Sequence, residues 1–363
     1  MNRHLCFSAL ILVRTFPSGS SGPWAAPAPK AEEPRLWSYV QVRLTAPENA
    51  GNYVGLRRAK VMVEGKPRPN FNYYLQMIYK DGNKSNTDAH PYIQEAWVRF
   101  LEGRGWVQVG QFKPPFGLER FTFDGALDSI DRSKATDHLI PNGQLGESFA
   151  RDLGVQWEAT TPDKRLWYGI GLFAGNGANN GFRGNGPLVA ARVVRTARND
   201  KLPDGQKVLV KYGGAFSTRR DRDQNFASAL PSTKPLGYEH FSGHDTRWNL
   251  ELLADVGPYR WRSEYFSARF SSNRAAAPTL SARGFYLQGA YQPVPEWSAA
   301  LKYEGFDPNA DVSDKNDLRW TTLNWSYYFH GNDEKVQVNY IWKHERTGGS
   351  NNDAWVVQYQ RVF

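Results

Sequence analysis

Gly105-Trp106-Val107-Gln108-Val109-Gly110-Gln111-Phe112-Lys113 alternates apolar and polar side chains and then runs into Pro114-Pro115-Phe116-Gly117-Leu118-Glu119. Alternation with period two marks a β-strand, and two prolines in series end it, because neither can donate to a ladder. No sustained alternation returns until Asp152-Leu153-Gly154-Val155-Gln156-Trp157-Glu158. A compact domain seldom carries so long an irregular connection unless it is functional. We read residues 114–151 as a loop that folds into the lumen of a membrane β-barrel and narrows it. The rest of the chain is then the wall.

Outward from this stretch the chain divides into period-2 segments bounded by Gly, Pro, Asn and Asp. In the first, residues 36–45, Leu36, Val40, Val42 and Leu44 share one face while Tyr39, Gln41 and Arg43 share the other. In the second, residues 53–64, Ala59, Val61 and Val63 oppose Arg58, Lys60 and Glu64. Continuing to residues 354–363 gives sixteen segments, an even number, as bacterial single-chain outer-membrane barrels require. Connections after even-numbered segments are mostly short. Those after odd-numbered segments are mostly long, among them 81–91, 114–151, 175–187 and 218–245; the turn 197–206 is an exception. A barrel with short periplasmic turns and longer external loops has this asymmetry. The expected fold is therefore all-β: a sixteen-stranded antiparallel transmembrane barrel over residues 32–363, placed in the bacterial outer membrane.

Composition agrees. Mean hydropathy is −0.62, and no apolar run of about 18 residues exists to form a transmembrane helix. Yet the chain carries 13 Trp and 18 Tyr, which suits a wall whose lipid-facing and water-facing residues alternate. The only cysteine is Cys6, so the barrel forms no disulfide and offers no thiolate metal site. Residues 1–31 read as an export signal, with Arg3, a short apolar core and the small residues Ala25, Ala26 and Ala28. Arg3, Arg14 and Lys30 lie in it, so the formal charge of +9 becomes +6 without them. The remaining bases are scattered singly rather than in the dense runs that bind nucleic acid.

Several stretches resemble the family of phosphate-selective porins O and P. The likeness is sharpest in Gly55-Leu56-Arg57-Arg58-Ala59-Lys60-Val61 and in the run from Val109 through Lys113-Pro114-Pro115-Phe116-Gly117 to Glu119, with weaker echoes in Tyr286-Leu287-Gln288-Gly289-Ala290-Tyr291 and the ending. The resemblance implies a homotrimer whose third loop enters the lumen, and a constriction rich in lysine and arginine that passes phosphate or polyphosphate. Here Lys113, Arg120, Arg132 and Lys134 fall in that loop, but so do Asp124, Asp128, Asp131 and Asp137. The terminal aromatic Phe363 resembles the signal read by the outer-membrane assembly machinery.

Strand alternation turns Arg43, Arg58, Lys60, Arg99, Lys211, Arg247, Arg262 and Lys302 toward the lumen. Together with the four loop bases they are the candidate anion-binding, pore-lining residues, since rings of Arg or Lys set anion selectivity where a pore narrows. The competing reading pairs them with Glu64, Glu95, Glu158, Glu251, Glu264 and Glu304, bracing the wall and leaving little net field. Gly175-Asn176-Gly177-Ala178-Asn179-Asn180-Gly181 lacks the phosphate-cradle pattern. The run Asp307 to Ser313 departs from a calcium loop at Val312 and Leu318. No catalytic group, cofactor or metal is expected. The expected partners are membrane lipids and small anionic solutes, and the function is diffusion of small hydrophilic solutes with an anion preference. A non-selective barrel, sheathing an electron-transfer complex or acting as an adhesin, is the alternative.

Overall fold

In the computed structural model the described residues are 32–79, 90–141, 151–181, 186–225, 240–274, 277–347 and 352–363. The expected export signal, 1–31, lies outside them. Sixteen strands follow one another: β1 (Arg35–Pro47), β2 (Tyr53–Arg68), β3 (Phe71–Tyr79), β4 (Tyr92–Glu102), β5 (Gly105–Phe112), β6 (Asp152–Thr160), β7 (Leu166–Phe173) and β8 (Leu188–Lys201). The second half comprises β9 (Lys207–Asn225), β10 (His240–Val256), β11 (Tyr259–Ser272), β12 (Leu280–Val294), β13 (Trp297–Asp307), β14 (Leu318–His330), β15 (Glu334–Glu345) and β16 (Ala354–Val362). Every strand pairs antiparallel with its sequence neighbours, and β1 pairs with β16 from Tyr39↔Val362 to Pro47↔Ala354, closing the ring. Closure leaves no edge, so every ladder group finds a partner without water, which a hydrocarbon surround demands.

The side chains invert the order of a soluble protein. Val42, Val61, Leu75, Val155, Leu172, Leu250, Leu287 and Leu301 are exposed, whereas Gln41, Lys60, Gln156, Glu264, Lys302, Asn324, Gln337 and Gln360 are buried. Apolar outside and polar inside is the pattern of a membrane barrel. Aromatic rings collect on the outer face near both ends. Trp297 meets Tyr327 at 4.7 Å and Tyr259 stacks on Tyr291 at 5.0 Å by the short turns. Near the opposite rim Tyr340 lies between Trp342 and Trp355, at 4.6 and 4.7 Å. Such amphipathic rings suit the two interfaces of a bilayer.

Two connections differ from the sequence expectation. The long turn expected at 197–206 shrinks to 202–206, because β8 continues to Lys201. Half of the loop expected at 218–245 is ladder, with β9 reaching Asn225 and β10 starting at His240; residues 226–239 lie outside the described residues. Arg219, Arg220, Asp221, Arg222 and Asp223 put charge on both faces there, so the apolar pattern stops while backbone pairing goes on. Beyond the hydrocarbon a strand needs a partner but no greasy face. With these changes all connections after even-numbered strands are short, and Gly103, Gly205, Gly257 and Gly331 take positive φ in four of them.

A third departure lies inside. Phe266, Phe270, Leu280 and Phe306 face inward and form one buried cluster with Phe116, Leu139, Ile140 and Phe241. Strand β11 is thus apolar on both faces over Tyr265-Phe266. The reason is a segment docked against it.

Candidate functional site: basic residues around the segment after β5

The segment that follows β5 is held at both ends and along its length. After Pro114-Pro115, Gly117 adopts φ +80°, and a Cβ there would come within 3.1 Å of Glu264 Oε1. This left-handed turn brings the next two amides onto that carboxylate, so Leu118 N–H donates to Glu264 Oε1 at 2.6 Å and Glu119 N–H to Oε2 at 2.8 Å. Glu119 in turn accepts from Ser133 N–H at 2.9 Å. Ser133 caps α1 (Lys134–Leu139), the one α-helix among the described residues, accepting from Thr136 N–H at 3.1 Å, as N-cap serines do. Lys134 N–H donates to Glu304 at 2.6 Å, and Arg247 donates to Ile140 O at 2.8 Å.

Between these anchors the chain reaches the strand ends beside the short turns. A 3-10 turn, Asp124–Ala126, sits by β1, β2 and β16; Tyr39 donates to Asp124 at 3.0 Å and Gln360 to Gly125 O at 3.3 Å. Leu127 O accepts from Lys335 and Gln337 on β15. Arg260, at the start of β11, holds Asp128 at 2.6 Å. Every wall residue in these contacts lies on the polar face of its strand.

The charges are unevenly divided. Asp124 is shared by three cations: Arg58 at 2.7 Å, Lys60 at 2.6 Å and Arg132 at 2.5 Å. Burial would raise the pKa of this carboxyl, but Arg132, Lys60 and Arg58 outweigh it and hold it well below the ordinary aspartate range. Asp131 is likewise shared, with Arg43 at 3.0 Å and Arg57 at 4.0 Å. Meanwhile Glu264 and Glu304 grip backbone amides. Carboxylates fix the segment, and cations outnumber them beside it.

A cleft of about 230 Å³ opens toward the long-loop end, beside β1, β2 and β13 to β16. Its charged lining is Arg43, Arg57, Arg132, Lys134, Lys302 and Lys343 against Asp131, Asp137 and Glu304. A second cluster surrounds Lys113, which lies among Arg120, Arg132, Arg151 and Glu95; Arg151 pairs with Glu95 at 2.8 Å. Another cleft, of about 370 Å³, lies toward the short-turn end beside β6 to β10.

The expected site residues thus separate into groups. Arg43, Arg58, Lys60 and Lys302 on the wall meet Arg120, Arg132, Lys134 and Lys113 of the segment. Lys302 donates to Asp131 O at 2.8 Å, and Lys134 Nζ lies 4.6 Å from the Trp320 ring centre. Arg99, Lys211 and Arg262 stand apart, near the short turns; Arg99 pairs with Glu158 and Arg262 with Asp255 at 2.6 Å. Arg247 is 1% exposed and bonded to Asp245 at 2.7 Å as well as to Ile140 O, so it pins the segment.

Sequence reasoning missed Arg57, Arg151, Arg192 and Lys343. Arg57 is instructive, because strict alternation sends it to lipid. A bulge lets Gln41 pair with Arg58 and the next residue, Val42, with Leu56, so Arg57 and Arg58 are both buried, at 8% and 9% exposure. The signal was the pair itself: one of two adjacent arginines must face hydrocarbon unless the strand bulges. Alternation along β8 and β15 turns Arg192 and Lys343 inward. Among the described residues no three His, Cys, Asp or Glu side chains converge as a metal site.

A closed, outwardly apolar ring of sixteen strands with a charged interior is an outer-membrane porin. The model of the family of phosphate-selective porins O and P matches residues 37–362, and the chain belongs to that family. Among solved structures, the anion-selective porin from Comamonas acidovorans superposes with TM-score 0.64 at 9% identity, covering 91% of this chain and 99% of that one. The trimer form of OmpT, an outer membrane protein of Vibrio cholerae, gives 0.63 at 12% identity over 92% and 100% of the two chains. OmpF of Salmonella typhi, solved with daunomycin, gives 0.60 at 10% identity over 91% and 97%. At these identities the likeness is one of fold. No curated protein matches the chain. The family and the fold are those of a channel in the bacterial outer membrane.

Proposed function

We propose that this porin passes small hydrophilic solutes by diffusion and favours anions, phosphate among them, and that segment 114–151 narrows the lumen to make that choice. The observation that carries the reading is the single carboxylate of Asp124 set among Arg58, Lys60 and Arg132, which leaves local positive charge beside a segment bonded to β1, β2, β11, β13, β15 and β16. An anion about 4 Å from one surplus charge gains roughly 1 kcal/mol in water and about 4 kcal/mol at the effective dielectric of a protein surface. Even the larger figure corresponds to only about millimolar binding. Solutes are then enriched and still released, as conduction requires.

The many wall ion pairs, Arg99 with Glu158 and Arg192 with Glu251 among them, brace the barrel. They do not cancel the surplus where one carboxylate serves several cations. The protein works without catalysis, as a homotrimer, with lipid against the apolar outer face; a trimer form exists for the similar OmpT fold. Residues 1–31 direct export, and Phe363 engages the assembly machinery. The test is the zero-current potential across a planar bilayer under a salt gradient. Anion preference is the expected result, and cation preference overturns the reading.

A further inference from the structure

The cleft near the short turns differs in kind from the one near the long loops. It is bounded by Leu118, Trp167, Val194 and Leu253, with Arg192 and Lys211 beside them. Ile170 and Leu172 are exposed on the outer face, so alternation turns Trp167, Gly169 and Gly171 of β7 inward. A Cβ at Gly169 would meet the Trp167 ring at 3.1 Å, which places the indole over that glycine. Val194 follows Arg192 inward on β8, and Leu253 follows Glu251 on β10. A water-filled lumen gives no reason for four apolar side chains to gather there.

The charges beside them are of two kinds. Arg192 is locked onto Glu251 by two hydrogen bonds of 3.0 and 2.7 Å, so its charge is balanced. Its guanidinium carbon lies 4.9 Å from the Phe121 ring centre and 5.7 Å from that of Trp167, which fixes the plate between two aromatic rings. Phe121, on the segment after β5, is 39% exposed. Lys211, half-buried, makes no hydrogen bond or ion pair among the described residues. Rigid aromatic and apolar walls therefore meet an ammonium with no carboxylate of its own. Inorganic phosphate uses only the second of these features. A flat organic anion uses both.

We propose that this cleft binds small aromatic monocarboxylates, the ring against Trp167 and its apolar neighbours and the carboxylate on Lys211. The inference goes beyond anion preference and rests on the chain being a conducting pore, so one measurement is made without conduction.

Benzoate is the probe, with acetate and cyclohexanecarboxylate as comparisons. In single-channel recordings in chloride, benzoate is expected to reduce the current at concentrations about tenfold below those of the other two acids. Trp167→Ala and Lys211→Gln each raise the half-blocking benzoate concentration by roughly tenfold, the loss of one aromatic stacking contact or one charge-assisted hydrogen bond, whereas Trp167→Phe and Lys211→Arg keep the block. The same order is expected in calorimetric titration of the detergent-solubilised protein, whose β-sheet circular dichroism verifies each variant's fold. Benzoate acting no better than acetate or cyclohexanecarboxylate overturns the proposal, as does block that survives both Trp167→Ala and Lys211→Gln. Absence of chloride current with benzoate binding intact sinks the pore reading and spares the cleft.

Discussion

The Lys60 ammonium lies 2.6 Å from Asp124 Oδ2, a contact between β2 and a residue 64 positions further along the chain. Arg58 and Arg132 reach the same carboxylate, so one aspartate joins two wall bases to one base of the segment. Removing its charge has two separable effects. Asp124→Asn leaves three cations uncompensated and is expected to strengthen anion preference, read as a larger zero-current potential of the same sign. It also breaks a largely buried ion pair, a loss on the order of 3 kcal/mol, visible as a lower denaturant midpoint. An unchanged potential would mean that ions do not pass this point.

Charge reversal tests which bases face the ions. Arg58→Glu, Arg57→Glu and Lys113→Glu should each lower the anion-to-cation permeability ratio by about fivefold, equivalent to roughly 1 kcal/mol of electrostatic attraction. Lys315→Glu, in the connection before β14, should leave it alone. Arg57→Glu is the sharpest of these, because only the bulge turns that residue inward. A lipid-facing Arg57 would give failed assembly instead of altered selectivity.

Selectivity should depend on pH near neutrality. Burial pushes the Lys113 ammonium down, Glu95 pulls it back up, and Arg151, Arg120 and Arg132 push it down again, to about 7. Raising the pH through that value removes a proton and with it a positive charge. Anion preference should therefore fall as pH rises from about 6 to about 8, as expected of a group titrating near 7. In Lys113→Arg the step should vanish, since a guanidinium stays charged throughout.

The grip of Glu264 on Leu118 and Glu119 predicts a gating phenotype. Glu264→Ala orphans both amides, at about 1–3 kcal/mol each, and loosens the entrance to the segment. Single-channel conductance should rise and become noisier. A quiet record of unchanged amplitude would show that the other anchors suffice.

Much of this architecture can be read from side-chain alternation, because a lipid face and a water face impose opposite demands on neighbouring residues. Segment starts at Tyr53, Tyr92, Asp152, Leu188, Lys207 and Ala354 coincide with strand starts for that reason. Strand ends outside the hydrocarbon are less legible: β9 and β10 keep pairing where neither face needs to be apolar, so no pattern marks the continuation. Arg57 escaped because a bulge shifts the phase by one residue, and alternation has no term for it. Arg247 lies on the polar face that alternation gives it, and its bond to Ile140 O depends on where another part of the chain docks. The phenylalanines at 266, 270 and 306 point into a nominally wet interior for the same reason.

Those inward phenylalanines make the wall depend on the segment docked against it. One side of β11 is to be wetted by lipid and the other covered by α1 with Phe116, so the strand cannot satisfy both faces alone. A ring sealed before the helix arrived would leave bare aromatic surface in trapped water, at about 25 cal/mol for each Å². The wall and the segment therefore stabilise one another: β11 to β13 give α1 a surface to pack on, and α1 with Phe116 dries it.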